Sequence, residues 1–145
     1  MQIDHFLERL DKIRLAQNGF DYKLGKALQL DDFVDIEKKH DIKIPGKIKD
    51  FYLVANGLKT LNPDFKLIEL DSWIVKGGLI HFATFDNLIE IYFAIPKPDD
   101  AKEWTIINKD NNYVIAKTIT NLWSDKIWHW LEQKYEIWED NWWVS

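Results

Sequence analysis

The chain has 145 residues, 46% of them hydrophobic and 30% charged, enough for one domain with a full core and unlike a disordered or fibrous sequence. It has no cysteine, which excludes disulfides, thiolate zinc centres and cysteine nucleophiles. Its net charge of −5 is uneven, with 11 Lys and Arg against 10 Asp and Glu in residues 1–59 but 8 against 14 in residues 60–145, so the second part should repel nucleic acid and attract a basic protein.

Ile3, Phe6, Leu7 and Leu10, followed by Ile13 or Arg14, recur at three- and four-residue spacing, which predicts an amphipathic helix over residues 2–16 that Asn18-Gly19 stops. Residues 20–30 are expected to be loop with one short extended piece. A second helix carries Phe33 and Ile36, with Val34 beside them, is capped by Asp31 or Asp32, and ends near His40. Ile44-Pro45 is extended, because a residue before proline avoids the helical region. Pro45 suits the first turn of a third helix, with Ile48, Phe51, Tyr52 and Val54, that ends at Asn56-Gly57.

After Pro63 the apolar period shortens to two. Phe65–Leu70, Trp73–Val75, Leu79–Ala83, Leu88–Ile95, Trp104–Ile107 and Tyr113–Ala116 are predicted strands, with Gly77-Gly78, Asp86-Asn87 and residues 109–112 as turns. Pro96–Asp100 is an exposed loop. A last helix runs from Thr118 to at least Lys134. The fold class is α+β: N-terminal helices, an antiparallel meander of about five or six strands, and a C-terminal helix packed on the sheet. The first residues lack the basic and apolar segments of a signal peptide. No apolar run approaches the roughly 20 residues of a membrane helix. A cytoplasmic protein is expected.

No enzyme signature stands out. His5, His40, His81 and His129 have no second histidine at metal-ligand spacing, and His81 should point away from Ile80 and Phe82. No Gly-x-Ser-x-Gly elbow surrounds a serine. Gly77-Gly78 lacks the lysine and helix of a phosphate loop. The adjacent acids Asp31-Asp32, Asp99-Asp100 and Glu139-Asp140 lie in polar segments, whereas acid–base pairs need one buried member. The expectation is a binding protein without cofactor or metal, not an enzyme.

Tryptophan is the outlying residue: eight in all, six of them after residue 122. Ile119, Leu122, Trp123, Ile127, Trp130 and Leu131 form one helical stripe and belong to the core. On the same helical wheel Trp128 falls off the stripe, on the side of Asp125 and Glu132. Tyr135, Trp138 and Trp142 continue the stripe by spacing, which turns Trp143 elsewhere. Indoles ringed by carboxylates suit a protein-binding hot spot. The expected partner-binding residues are Asp99, Asp100, Trp128, Glu132, Glu136, Trp138, Glu139, Asp140 and Trp143. Two other readings compete: the tail folds back and buries these rings, or the patch is a homodimer contact.

Across residues 27–134 the order of pieces resembles the SUKH superfamily, the Smi/Knr-type domain. Ile36-Glu37, Ile44-Pro45, Phe51-Tyr52-Leu53 and Asn56-Gly57 resemble its acidic helix, Leu-Pro (here Ile-Pro) and Asn-Gly after an aromatic helix. Phe65-Lys66-Leu67, Leu79–Ala83, Ile91-Tyr92-Phe93 and Tyr113–Ile119 follow in the family's order. The Trp-rich extension after Lys134 departs from the family's short ending. The resemblance implies a role by analogy of fold alone. Bacterial members are commonly immunity proteins that neutralise cognate toxins, often nucleases, while fungal members resemble regulatory scaffolds. The reading favoured here is an immunity protein that occludes a basic toxin's active site; the alternative is a scaffold without a toxin.

Overall fold

Phe6, Leu10 and Ile13 fall on one face of α1 (Ile3–Ala16) and are buried in the computed structural model, which describes residues 3–96 and 104–144. A short strand, β1 (Asp21–Leu24), follows. Helix α2 (Leu30–His40) buries Phe33 and Ile36. Its cap is Gln29, two or three residues earlier than the Asp31 or Asp32 expected. Asp32 sits in the first turn, and its carboxylate accepts the Gln29 N–H at 2.7 Å. Helix α3 (Gly46–Tyr52) starts after Pro45 and buries Ile48, Phe51 and Tyr52. It stops short of the predicted Asn56-Gly57. Gly57, at φ +105°, instead turns the chain into a strand.

That strand is β2 (Leu58–Leu61), which was not predicted, whereas β1 is the short extended piece expected within residues 20–30. β3 (Phe65–Leu67), β4 (Val75–Lys76), β5 (Leu79–Phe85), β6 (Ile89–Ala94), β7 (Thr105–Asn108) and β8 (Tyr113–Ala116) complete a sheet of eight strands among the described residues. All pairs are antiparallel, in the order β1-β2-β3-β5-β6-β7-β8, with β4 beside β5. The class is α+β as expected, with more strands. Glu69 and Leu70 leave the sheet, and Leu70–Ser72 is a 3-10 turn. Phe65, Leu67, Phe85, Ile91, Phe93 and Ile106 are buried on the inner face, while Lys59, Lys66, Glu90 and Val114 are exposed on the outer. A bulge between His81 and Ala83 keeps both Phe82 and Ala83 inside. The Phe82 ring stacks on Phe93 at 3.6 Å between centroids. No helix among the described residues is long and apolar enough to cross a membrane.

Tyr52 joins α3 to the turn after β3. Its hydroxyl donates to the Ile68 carbonyl at 2.7 Å and accepts from Trp73 Nε1 at 3.3 Å. Burial raises its pKa well above the ordinary tyrosine value, and the Trp73 hydrogen bond opposes that only in part. The unfolded chain therefore ionises near pH ~10 while the folded one keeps the proton, so stability falls as pH rises above that point. Tyr52→Phe should cost about 1–3 kcal/mol at neutral pH by orphaning the Ile68 carbonyl and the Trp73 N–H. It should also flatten the alkaline fall. Urea unfolding of both proteins at neutral and alkaline pH measures both effects.

The last helix contains the largest departure from expectation. It runs as α4 (Ile119–Asn121), a π turn (Leu122–Lys126) and α5 (Ile127–Leu131), and ends short of Lys134. Thr118 caps it, its hydroxyl accepting the Asn121 N–H at 3.1 Å. Within the turn, the Ile127 N–H donates to the Leu122 carbonyl, five residues back. Residues five apart, not four, are thereby brought level. Trp123 and Trp128 share a face, and both touch Phe6, at 5.3 and 5.0 Å between ring centroids.

Candidate functional site

The π turn settles the first of the predicted partner-binding residues. Trp128 is only 5% exposed, packed on Phe6 with the Arg9 guanidinium 4.5 Å above its ring. It belongs to the core and not to an exposed hot spot, because the wheel that placed it outside assumed an unbroken α-helix. Glu132 is half-buried beside it and accepts the hydrogen bond of Arg9 Nε, so its charge is already partnered within the chain. Asp99 and Asp100 lie outside the described residues.

Past Leu131 the chain turns back at Lys134, which adopts a left-handed conformation. The Tyr135 N–H donates to the His129 carbonyl at 2.9 Å, and Ile137 and Trp138 drop onto the sheet. Trp138, 3% exposed, is likewise core. It stacks on Phe85 at 5.1 Å and meets Trp130 edge-on at 4.9 Å. Two asparagines of the β7–β8 hairpin hold its backbone. The Trp138 carbonyl accepts from Asn108 Nδ2 at 3.1 Å and from Asn111 Nδ2 at 3.3 Å. Asn111 Nδ2 also donates to Glu139 at 3.1 Å. Trp130 Nε1 donates to the Asp64 carbonyl at 3.0 Å. Tail, hairpin and last helix thus share one floor of packed rings and satisfied polar groups.

What this floor carries is exposed. Trp143 is 58% exposed and Val144 more so, in a 3-10 turn (Trp142–Val144), with Tyr135 also open to solvent. Trp142, half-buried, links them. It lies 6.0 Å from Tyr135, 5.8 Å from Trp143 and 5.0 Å from His129, with the Lys126 ammonium 5.4 Å from its ring. His129 is itself held in place, Nδ1 at 2.7 Å from Gln133 Oε1 and Nε2 at 3.3 Å from Asp125. Glu136, Glu139 and Asp140 are all exposed on the loop between Tyr135 and Trp142.

The structure therefore keeps Trp143, Glu136, Glu139 and Asp140 at one surface patch, removes Trp128 and Trp138 to the core, and commits Glu132 to Arg9. It adds Tyr135 and Trp142, which extrapolation of the helical stripe assigned elsewhere, and Val144. An exposed aromatic group set among carboxylates on a fixed base can cover apolar surface flanked by Lys or Arg on another protein.

His81 lies half-buried on the outer sheet face, as the strand alternation required. Its ring is 5.3 Å from Tyr92 and its Nε2 is 3.0 Å from the Ala83 carbonyl. Among the described residues no group of three His, Asp or Glu side chains is placed to hold a metal ion. A groove of about 710 Å³ runs between α1 and the end of α5, lined by polar side chains including His5, Glu8, Arg9 and Glu132. Comparison with known proteins finds no family model, no curated protein and no solved structure that matches this chain.

Proposed function

We propose that this chain is a cytoplasmic protein-binding domain that neutralises a cognate toxin by covering its active site with the C-terminal aromatic–acidic patch. The observation that carries the reading is Trp143. A majority-exposed indole beside three exposed carboxylates is costly to leave in water, and it sits on a segment held from below by Trp138 and two asparagines. A base fixed in advance lowers the ordering cost of binding. The carboxylates would steer a basic partner and stand in for the phosphates of a nuclease substrate. The toxin and its class come from the SUKH-type resemblance, by analogy of fold.

Affinity capture with tagged wild-type protein should retain a basic protein that is toxic when expressed alone. The triple variant Trp143→Ala/Glu139→Lys/Asp140→Lys should lose it. In the purified pair, Trp143→Ala alone should weaken binding by about 2 kcal/mol, roughly 30-fold, without shifting the unfolding midpoint. Equal retention by the folded triple variant would remove this surface from consideration.

A further inference from the structure

The chain has two Asn-Gly pairs, Asn18-Gly19 and Asn56-Gly57, and the fold treats them oppositely. In such a pair the glycine nitrogen can close a five-membered ring on the asparagine side-chain carbon, and glycine has no Cβ to obstruct the approach. The reaction goes forward only where the side chain and the following peptide are free to turn toward each other.

Asn56-Gly57 is locked. Asn56 Oδ1 accepts the Leu70 N–H at 2.7 Å, and its Nδ2 donates to Asp71 at 3.1 Å. The Asn56 N–H donates to the Lys26 carbonyl at 2.7 Å. The Gly57 N–H, which carries the attacking nitrogen, donates to the Ala55 carbonyl at 3.0 Å. Gly57 is buried, and Gly25 lies so close to the Asn56 carbonyl that a Cβ at residue 25 would stand 2.1 Å from the oxygen.

Asn18-Gly19 is open. Both residues are exposed in the turn between α1 and β1. Among the described residues, neither the Asn18 side-chain amide nor the Gly19 N–H has a hydrogen-bond partner. The turn is held only at its flanks. The Phe20 N–H donates to the Gln17 carbonyl at 3.3 Å, and the Gly19 carbonyl accepts from Asn62 Nδ2 at 2.9 Å.

We propose that Asn18 is a site of spontaneous covalent modification, where the folded chain converts to aspartate and isoaspartate while Asn56 is spared. The Gly19 nitrogen gives up its proton to hydroxide and bonds to Asn18 Cγ. The bond from Cγ to Nδ2 breaks, and Nδ2 takes up a proton and leaves as ammonia. Water then adds to either carbonyl of the resulting succinimide ring, which opens to aspartate or to isoaspartate. No electrons are exchanged with any other molecule. Either product places a new negative charge just past the C-terminus of α1, where the helix dipole disfavours it. Isoaspartate also inserts one carbon into the main chain between the two flanking hydrogen bonds.

Incubation at mildly alkaline pH, with one sample folded and one unfolded in urea, tests this. Tryptic peptides 15–23 and 50–59 separate the two sites, and mass spectrometry of each measures loss of the amide. In urea both sites should convert at similar rates. In the folded protein Asn18 should keep its unfolded rate, while Asn56 should slow by roughly 30-fold, the factor for first breaking two side-chain hydrogen bonds. In Asn18→Gln the acidic species that ion exchange resolves from the folded protein should be absent over the same period. An Asn18 that stays intact in the fold while converting in urea overturns the proposal. So does an Asn56 that converts as fast as Asn18 in the fold, or an acidic species that forms as quickly in Asn18→Gln. None of these readouts involves Trp143 or its partner.

Discussion

Trp123→Ala is expected to cost about 3–5 kcal/mol, the range for truncating a buried aromatic ring, and so to consume much of a domain stability of about 5–15 kcal/mol. The ring joins three parts of the chain that are distant in sequence. It stacks on Phe51 of α3 at 5.0 Å, meets Phe6 of α1 edge-on at 5.3 Å, and meets Phe65 of β3 edge-on at 6.1 Å. Removing it leaves a cavity bounded by α1, α3 and the sheet, none of which can collapse without moving the others. Its indole N–H, by contrast, is buried without a hydrogen-bond partner. Trp123→Phe should therefore be far milder, because it keeps a ring in the stack while discarding an unsatisfied donor. Chemical denaturation of the two variants decides the matter: similar losses would mean that a phenyl ring cannot replace the indole in the three-way contact.

The elements that could be seen in the sequence are those whose pattern is local. The stripe of α1, the Pro45 start of α3 and the alternation of β5 to β8 each declare themselves within one element. β2 does not. Its buried residues are Leu58 and Thr60 and its exposed ones Lys59 and Leu61, so apolar and inward do not coincide. Thr60 goes inside because its hydroxyl finds the Pro63 carbonyl at 2.7 Å, a partner fixed only by the following turn. β1 is a four-residue edge strand whose register depends wholly on β2. The site was legible in part for the same reason. That acid and tryptophan gather at the C-terminal end is composition; which indoles face water depends on one i,i+5 hydrogen bond at Leu122 and on Asn108 and Asn111 reaching the tail from another hairpin. A helical wheel holds neither.

Trp138 and Trp143 illustrate the distinction as a pair of experiments. Trp138→Ala removes the ring that stacks on Phe85 and abuts Trp130, again a loss of about 3–5 kcal/mol if the site cannot relax. Here, however, the chain has a cheaper response than global unfolding, since residues after Leu131 can detach from the sheet as a unit. Detachment would release the Asn108 and Asn111 side chains from the Trp138 carbonyl and expose Trp130 and Phe85 to solvent. Hydrogen exchange should then show lost protection at Ile137 and Glu139, whose N–H groups are bonded within the tail to Tyr135 and Glu136, with α1 and β5 still protected. Partner binding should fall in this variant as well, although residue 138 has almost no surface to offer, because Trp143 and its carboxylates would lose their fixed base. Trp143→Ala should do the reverse, leaving exchange unchanged while weakening the complex. If Trp138→Ala instead bound the partner as tightly as wild type with its tail detached, the preorganisation on which the proposed interface depends would have no role.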